Sequence, residues 1–564
     1  MSPLLPLGLA LGLLDADAWA KARLTHAVAA CVVGAIAFAS VRARAAAAPL
    51  GLERRLAARL GPWRERLAAA PVAVPVGLVL LGATAYAVFF SSLTLEAHWN
   101  GYTRSYDLAI FDNLHWNVLF GEGFLRATPA GGGEPSHFGR HATLLAYALA
   151  PFYALHPAAT TLLVLQSILI GFAALPLFAF ARLHLGAWPA CALAGAYLLY
   201  APLHGSNLAD FHFLSISPLF LFATAWALEG RSRVGLALAA LFTILAREDV
   251  ALGVAVLGAY HVLANRRVRA GLVLAGVGLG WFFVTKLWWM PLVAGGSAYA
   301  DQYQGLAPPG TVGFGAVLET LIVNPGFTLG TLLHAEKLEY ALLVLTPVAF
   351  LPLRRAGLWL FLLPGFVFTL LSTDHAPTVS IGFQYTAFWT PYLFIATTLA
   401  LREDAFTQAA VRRAAGCALL LLTLLCSYQY GAIFQQRTVV GGFYDPFPTT
   451  TAAADRERRR LRAEVLEALP PDADVAASES VAPHVSNRAV AYTLREGVLD
   501  AEYVVFGLVP EARGEYRVVR ALLQTGDFGV VASNEAYALL RRGEPPTLNR
   551  RLLERLASGG GRSR

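Results

Sequence analysis

The sequence predicts an all-α polytopic membrane protein that carries a small α/β domain at its C-terminal end. Three observations predict it. Of 564 residues, 56% are hydrophobic and only 14% charged, and the mean hydropathy is +0.54. Apolar runs of the length that crosses a bilayer, about 20 residues each, recur as far as about residue 432. Beyond Gly441 the apolar runs become short and alternate with charged stretches. A lipid interior offers the backbone no hydrogen-bond partner, so the long runs must be helices. None shows the alternation of a membrane β-barrel.

The spans expected in order are about 24–41, 72–91, 158–181, 187–204, 212–228, 234–247, 250–264, 270–291, 337–353, 357–372, 385–401 and 412–432. With the short apolar segment Leu4–Leu14 this gives about 11–13 transmembrane helices. Ala18-Trp19-Ala20 has the small-residue pattern of a cleavage site, but no basic stretch precedes it, which argues against a signal peptide. Residues 1–71 end in the basic run Arg42–Arg66, an amphipathic segment expected at the cytoplasmic leaflet. The segment 142–155 is short and interrupted by Pro151, and is expected not to cross. With that register Arg182, Arg231 with Arg233, Arg266 with Arg267 and Arg269, Arg354 with Arg355, and Arg402 with Arg412 and Arg413 all fall inside, as the positive-inside rule requires. The formal charge of +7 is then a matter of topology, and no nucleic-acid partner is implied. Cys31, Cys191, Cys417 and Cys426 lie in apolar runs without C-x-x-C pairing and read as small buried hydrophobes.

The domains expected are the N-terminal segments 1–71, a transmembrane domain 72–440 with long outer loops 92–157 and 295–336, an extracytoplasmic α/β domain 441–557, and a disordered tail 558–564. In the α/β domain a charged helix over Ala452–Leu469 precedes apolar runs at Val475–Ala477, Ala489–Tyr492, Tyr503–Leu508, Phe528–Ala532 and Tyr537–Leu540, with a helix near Glu511–Leu523.

The chosen register sends the polar interruptions to one face. The stretch Ser105–Asn113, SYDLAIFDN, follows the span 72–91 and carries Asp107 and Asp112. Five residues apart, they lie on different faces of a helix and do not form a close pair. A carboxyl partly buried at such an interface is expected to have a raised pKa and to be able to take a proton from a hydroxyl. The bland alternative is that both cap a helix beginning near Leu108. His137 and His141 have the i,i+4 spacing that places two imidazoles on one helical face, a pattern suited to a divalent metal ion; the alternative is a pair of interfacial histidines bonded to backbone. Asn207, Asp210 and His212, in NLADFHF, either cap helices or line a site under the first outer loop. Arg247-Glu248-Asp249 breaks an apolar run at its outer end. Arg247 has the fork to bind phosphate with Glu248 orienting it, or the three form a salt-bridge cluster. Charge at membrane depth is costly and points to function. No P-loop, GxGxxG, HExxH or GxSxG pattern is present.

The series YDLAIFDN, SHFGRHATLLAYALAPFYAL, NLADFHFLSISPLFL and LAREDVAL, continued by SESVAPHVSNRAVAY, AEYVVF and FGVVASNEAYALLRR, resembles the bacterial membrane-protein family of domain of unknown function 2079 over residues 75–545. That family often has Gly where this chain has Ala109, and Gln where it has Asn113. At one remove the architecture resembles the GT-C glycosyltransferases. That resemblance implies a polyprenyl-phosphate-linked sugar as donor, and a glycan, lipid or protein acceptor at the outer face of the bacterial cytoplasmic membrane. Asp107 is the base or acceptor-orienting group it implies, and Arg247 and Lys337 the lipid-phosphate contacts. Asp112, Asn207, Asp210, His212, Glu248 and Asp249 are expected to shape the substrate site. The alternatives are a transporter or flippase for lipid or polysaccharide, which would need polar residues at mid-span, and a non-catalytic anchor for the C-terminal domain. Mid-span regions are nearly free of charge, Lys286 being the main exception.

Overall fold

A computed structural model describes residues 69–103, 105–129, 136–294, 300–311, 313–373, 375–402, 409–434, 452–509 and 513–559. The N-terminal segments expected within 1–68, Asp374 and the tail 560–564 lie outside these residues.

Helix α1 (Ala73–Trp99) is followed by a π-helical turn, Ser105–Ala109, that runs into α2 (Ile110–Phe120). Then come α3 (Leu145–Tyr153), α4 (Ala159–Phe172), α5 (Ala174–Leu185), α6 (Ala187–Leu198), α7 (Ala201–Leu208), α8 (Phe213–Glu229), α9 (Arg233–Ala246), α10 (Ala251–Leu263) and α11 (Val268–Val284). After two short helices over Phe314–Val323 and Pro325–Leu332, α12 (Ala335–Leu345), α13 (Thr390–Ala400) and α14 (Ala409–Tyr430) complete the helical part. Among the described residues four helical stretches are long and apolar enough to cross a membrane: Ala73–Trp99, Ala159–Leu185, Val268–Ala294 and Val411–Tyr430. The other expected spans within the described residues are shorter or broken. Between residues 346 and 370 the chain passes through 3-10 turns and a π turn, with Pro347, Pro352 and Pro364 along it, because proline removes a ladder donor and clashes with the preceding turn. The segment 142–155 holds only the nine-residue α3, a length of about 14 Å.

The helices pack around one apolar core that includes Phe90, Leu114, Tyr153, Tyr197, Phe222, Tyr340 and Phe394. Their outer surfaces stay apolar and exposed, as at Leu81, Val88, Val273 and Leu287. Helices α10 and α11 touch backbone to backbone. A Cβ on Gly258 would stand 2.4 Å from the carbonyl oxygen of Gly271, and one on Gly278 2.5 Å from that of Ala251. Small residues are what permit such an approach.

The C-terminal domain begins with α15 (Ala453–Leu466). Its sheet comprises β1 (Val475–Ala477), β2 (Ala491–Thr493), β3 (Tyr503–Gly507), β4 (Phe528–Ser533) and β5 (Tyr537–Arg542), in the order β2-β1-β3-β5-β4. β1 pairs in parallel with β2 and β3, and β5 antiparallel with β3 and β4. Helices α16 (Arg513–Thr525) and α17 (Asn549–Gly559) complete it. The strands match the expected runs to within a few residues; α17 was not expected. Alternate residues feed two cores. Val475, Ala477, Tyr503 and Val505 pack with Leu461 and Val465 of α15, whereas Ala476, Val504 and Phe506 pack with Val519, Leu523, Leu552 and Leu556. Ala109, from the π-helical turn, belongs to the first of these cores. The C-terminal domain therefore rests on the segment that carries Asp107, through the turn Ala482–His484 that follows β1.

Candidate active site

The π-helical turn widens the backbone at Ser105–Ala109, a geometry that recurs at functional sites. Helix α2 starts at Ile110 without a side-chain cap, so neither aspartate serves as the expected N-cap. Instead they face different partners. The Asp107 side chain is 50% exposed, and its Oδ2 lies 3.4 Å from Nε2 of His212, which is 5% exposed. Burial alone would raise its pKa; His212, with His141 and His375, outweighs this and holds the carboxyl below its ordinary value.

Asp112 is 1% exposed. Its Oδ1 accepts from Tyr153 Oη at 2.6 Å and its Oδ2 from Ser486 Oγ at 2.6 Å. Burial pushes this carboxyl up to about 7, against the pull of the bonds from Ser486 and Tyr153. The raised pKa expected for an interfacial carboxyl therefore belongs to Asp112. At Asp107 the surrounding imidazoles reverse it. Beside Asp112, Asn113 donates from Nδ2 to the carbonyls of Ser486 (3.1 Å) and Arg488 (2.6 Å), and accepts at Oδ1 from the Thr128 N–H at 2.9 Å. Thr128 in turn donates to Ala491 O at 2.9 Å and accepts from Ala491 N at 2.8 Å. Arg462 to Trp99 O (2.7 Å), Tyr102 to Asp455 (3.1 Å) and Asn487 to Pro157 O (3.0 Å) extend the seam.

His212 is held from below by Gln166, a single amide in the apolar helix α4. Its Nε2 donates to the carbonyls of Asn207 (3.0 Å) and Asp210 (2.5 Å), and its Oε1 accepts from His212 N at 2.7 Å. The grip spans Asp210, whose φ of 60° is left-handed, a conformation that costs a non-glycine residue free energy unless its surroundings impose it. Asn207 is fully buried and shares a 3.3 Å hydrogen bond with Ser167. Gln166 escaped the sequence reading, yet one amide among leucines and isoleucines was a legible signal.

Arg247, Glu248 and Asp249 occupy the connection between α9 and α10. Glu248 is 1% exposed; its Oε1 lies 3.0 Å from His141 Nδ1 and 3.7 Å from Lys286 Nζ, and its Oε2 accepts from Ala142 N at 3.0 Å. Lys286 comes from the π turn Thr285–Trp289 that follows α11. Burial opposes ionisation of Glu248, but His141 first, then Lys286 and Arg247, holds the carboxyl well below its usual range. Burial lowers His141 despite the opposing charge of Glu248, so a neutral imidazole donating Nδ1–H to the carboxylate satisfies both groups. Glu248 does not orient Arg247, as the sequence reading had it. Asp249 does, accepting from Nε at 2.9 Å and from Nη2 at 2.6 Å. The guanidinium also lies over the Phe388 ring, 5.4 Å from its centroid, an arrangement that favours the cation.

Lys337 donates from Nζ to Leu370 O at 2.6 Å, and His375 Nε2 lies 2.9 Å from Tyr385 Oη. His137 and His141 sit on a 3-10 turn, His137–Gly139, and the residues after it, not on one face of an α-helix. Their ring centroids are 5.9 Å apart. Burial pushes His137 down to about 3, and neither of its nitrogens has a hydrogen-bond partner among the described residues. No group of three or more His, Cys, Asp or Glu side chains among those residues is placed to hold a metal ion.

Two solved structures of ArnT from Cupriavidus metallidurans, one bound to undecaprenyl phosphate and one in the apo state, align with this chain at 12% and 13% identity and a TM-score of 0.41. Each alignment covers 83% of this chain, and 97% and 98% of theirs. No curated protein matches. The family model described as "Predicted membrane protein (DUF2079)" matches residues 97–508, which take in Asp107, the Arg247 cluster and the seam to the C-terminal domain. The chain belongs to this family of membrane proteins.

Proposed function

We propose that the protein is a membrane glycosyltransferase of GT-C type, moving a sugar from a polyprenyl-phosphate donor to a hydroxyl acceptor at the outer face of the cytoplasmic membrane. One observation carries the reading. Asp107 is a half-exposed carboxylate in a cluster whose other charges, Arg247, Glu248 and Asp249, are buried and paired. Paired charges around one accessible carboxylate form a preorganised site.

In the reaction, the acceptor oxygen attacks the anomeric carbon as the bond from that carbon to the phosphate oxygen breaks. The electron pair leaves on the lipid phosphate. Asp107 accepts a hydrogen bond from the acceptor hydroxyl and takes its proton as the new bond forms. A depressed pKa makes it a weak base, so it works by orienting the nucleophile and receiving the proton late. Arg247 has Nε and Nη2 engaged by Asp249, which leaves Nη1 to meet the leaving phosphate. Lys337 is the second cation assigned to it.

The test is release of polyprenyl phosphate from a panel of radiolabelled polyprenyl-phosphate sugars by the full chain in proteoliposomes. Release should be lost in Asp107→Asn and Arg247→Ala. Undiminished release by both variants would sink the reading.

A further inference from the structure

The far end of α9, about 20 Å from Arg247 by its length, carries charges that the site does not use. There the connections before α9 and before α11 line an open cavity of about 550 Å³. Five of its ten lining residues are arginines: Arg231, Arg233, Arg266, Arg267 and Arg269. Arg266 reaches Glu229 at 3.4 Å, and Arg267 donates to the Leu228 carbonyl. Arg231, Arg233 and Arg269 have no carboxylate partner among the described residues.

Five guanidinium groups around one cavity repel each other and raise the local concentration of anions. Each planar fork also matches two oxygens of a phosphate. The positive-inside rule explains why basic residues lie on this side, but it asks only for charge. It does not ask for a cavity. The surroundings point to a lipid. Val234, Leu238 and Leu241 form an exposed stripe down α9, and Leu272, Val273 and Val277 are exposed on α11. Both apolar surfaces begin at the cavity, so a phosphate held there leaves acyl chains lying along them. Basic pockets between membrane helices bind anionic headgroups in this way.

We propose that this cavity is a headgroup site for an anionic phospholipid, held by its phosphodiester between Arg231, Arg233 and Arg269. The site is independent of the chemistry at Asp107.

The test uses the full chain purified in detergent and titrated with cardiolipin, phosphatidylglycerol, phosphatidylethanolamine or inorganic phosphate, with bound lipid counted by native mass spectrometry. Cardiolipin and phosphatidylglycerol should be retained in preference to phosphatidylethanolamine. The triple variant Arg231→Lys, Arg233→Lys, Arg269→Lys keeps every charge, so topology and folding are preserved; its retention should fall on the order of tenfold as the forks are lost. A thermal unfolding midpoint equal to that of the parent chain in lipid-free detergent confirms that the variant is folded. Equal retention of all three lipids, or undiminished retention by the lysine variant, overturns the proposal. Displacement of the lipids by millimolar inorganic phosphate also overturns it, since the occupant would then be a soluble phosphate compound.

Discussion

Asp107 and Asp112 stand five residues apart on one segment, yet they belong to different parts of the molecule. Asp107 is half exposed, beside His212, with its pKa held down by the imidazoles around it. Asp112 is buried against Tyr153 and Ser486, with its pKa pushed up. The same functional group is thus an accessible carboxylate in one place and a buried structural anchor in the other. Residue type did not decide which. The π-helical turn between Ser105 and Ala109 and the packing of the C-terminal domain on Ala109 did, by turning one side chain toward His212 and the other toward Ser486.

The sharpest way to break this comparison is the same isosteric change at both positions. On the proposed mechanism Asp107→Asn removes the proton acceptor, and the turnover number should fall on the order of 10²–10⁴-fold, with the thermal unfolding midpoint little changed. Asp112→Asn keeps one acceptor oxygen and gains a donor that the Ser486 hydroxyl can accept. Turnover should therefore change by less than about tenfold. Loss of turnover at Asp112 equal to that at Asp107 would erase the distinction.

Next in size is truncation of the anchor. Asp112→Ala strands the Ser486 hydroxyl in a buried place, at roughly 1–3 kcal/mol, and leaves Tyr153 Oη only the backbone carbonyl of residue 112, at 3.2 Å. Thermal unfolding should come earlier, and limited proteolysis should release the C-terminal domain faster. Gln166→Leu has a comparable effect on the other side of the site. It strands the His212 amide and two carbonyls, at roughly 1–3 kcal/mol for each buried group, and frees His212 from its place beside Asp107. The expected signature is a drop in turnover together with a drop in stability, read from kinetics and melting on the same preparation.

The smallest effect is the pH dependence. Asp112 binds its proton more tightly in the folded protein, at about 7, than in the unfolded chain, at about 3.9. Between those values the folded state holds more protons, so this group's contribution to stability is present at low pH and lost as pH rises toward 7. Asp107, with its pKa depressed, contributes in the opposite sense, losing its contribution as pH falls below the usual carboxylate range. Resistance to proteolysis at the seam should therefore be greater at pH 5 than at pH 8, and Asp112→Asn should flatten that difference.

Much of the fold was legible in the sequence because its signals are periodic. The alternation of short apolar runs with charged stretches gave β1 at Val475–Ala477 and β3 from Tyr503, and Pro151 marked the short α3. The helical breaks between residues 346 and 370 and the helix α17 were less visible, since the first depends on proline placement inside apolar runs and the second on a short amphipathic stretch. At the site, the charged residues announced themselves by being costly in an apolar neighbourhood. Their pairing did not. Arg247 was as compatible with Glu248 as with Asp249 until the turn between α9 and α10 selected one, and no local pattern connects Asp112 to Ser486. The amide of Asn113 shows the same limit. The family resemblance marks the position, but only the fold shows that Nδ2 and Oδ1 tie the C-terminal domain and Thr128 together.

The seam also sets an order of events during synthesis. Ser486 follows Asp112 by 374 residues, so at ~5–20 residues per second the ribosome needs roughly 20–75 s to supply the anchor after the Asp107 segment has been made. Until residues 486–491 arrive, Asp112, Asn113 and Thr128 lack the partners that fix the turn. A nascent chain therefore holds the Asp107 segment without these ties until residues 486–491 have been made and docked, and on the proposed function a chain truncated before them should be inserted but idle.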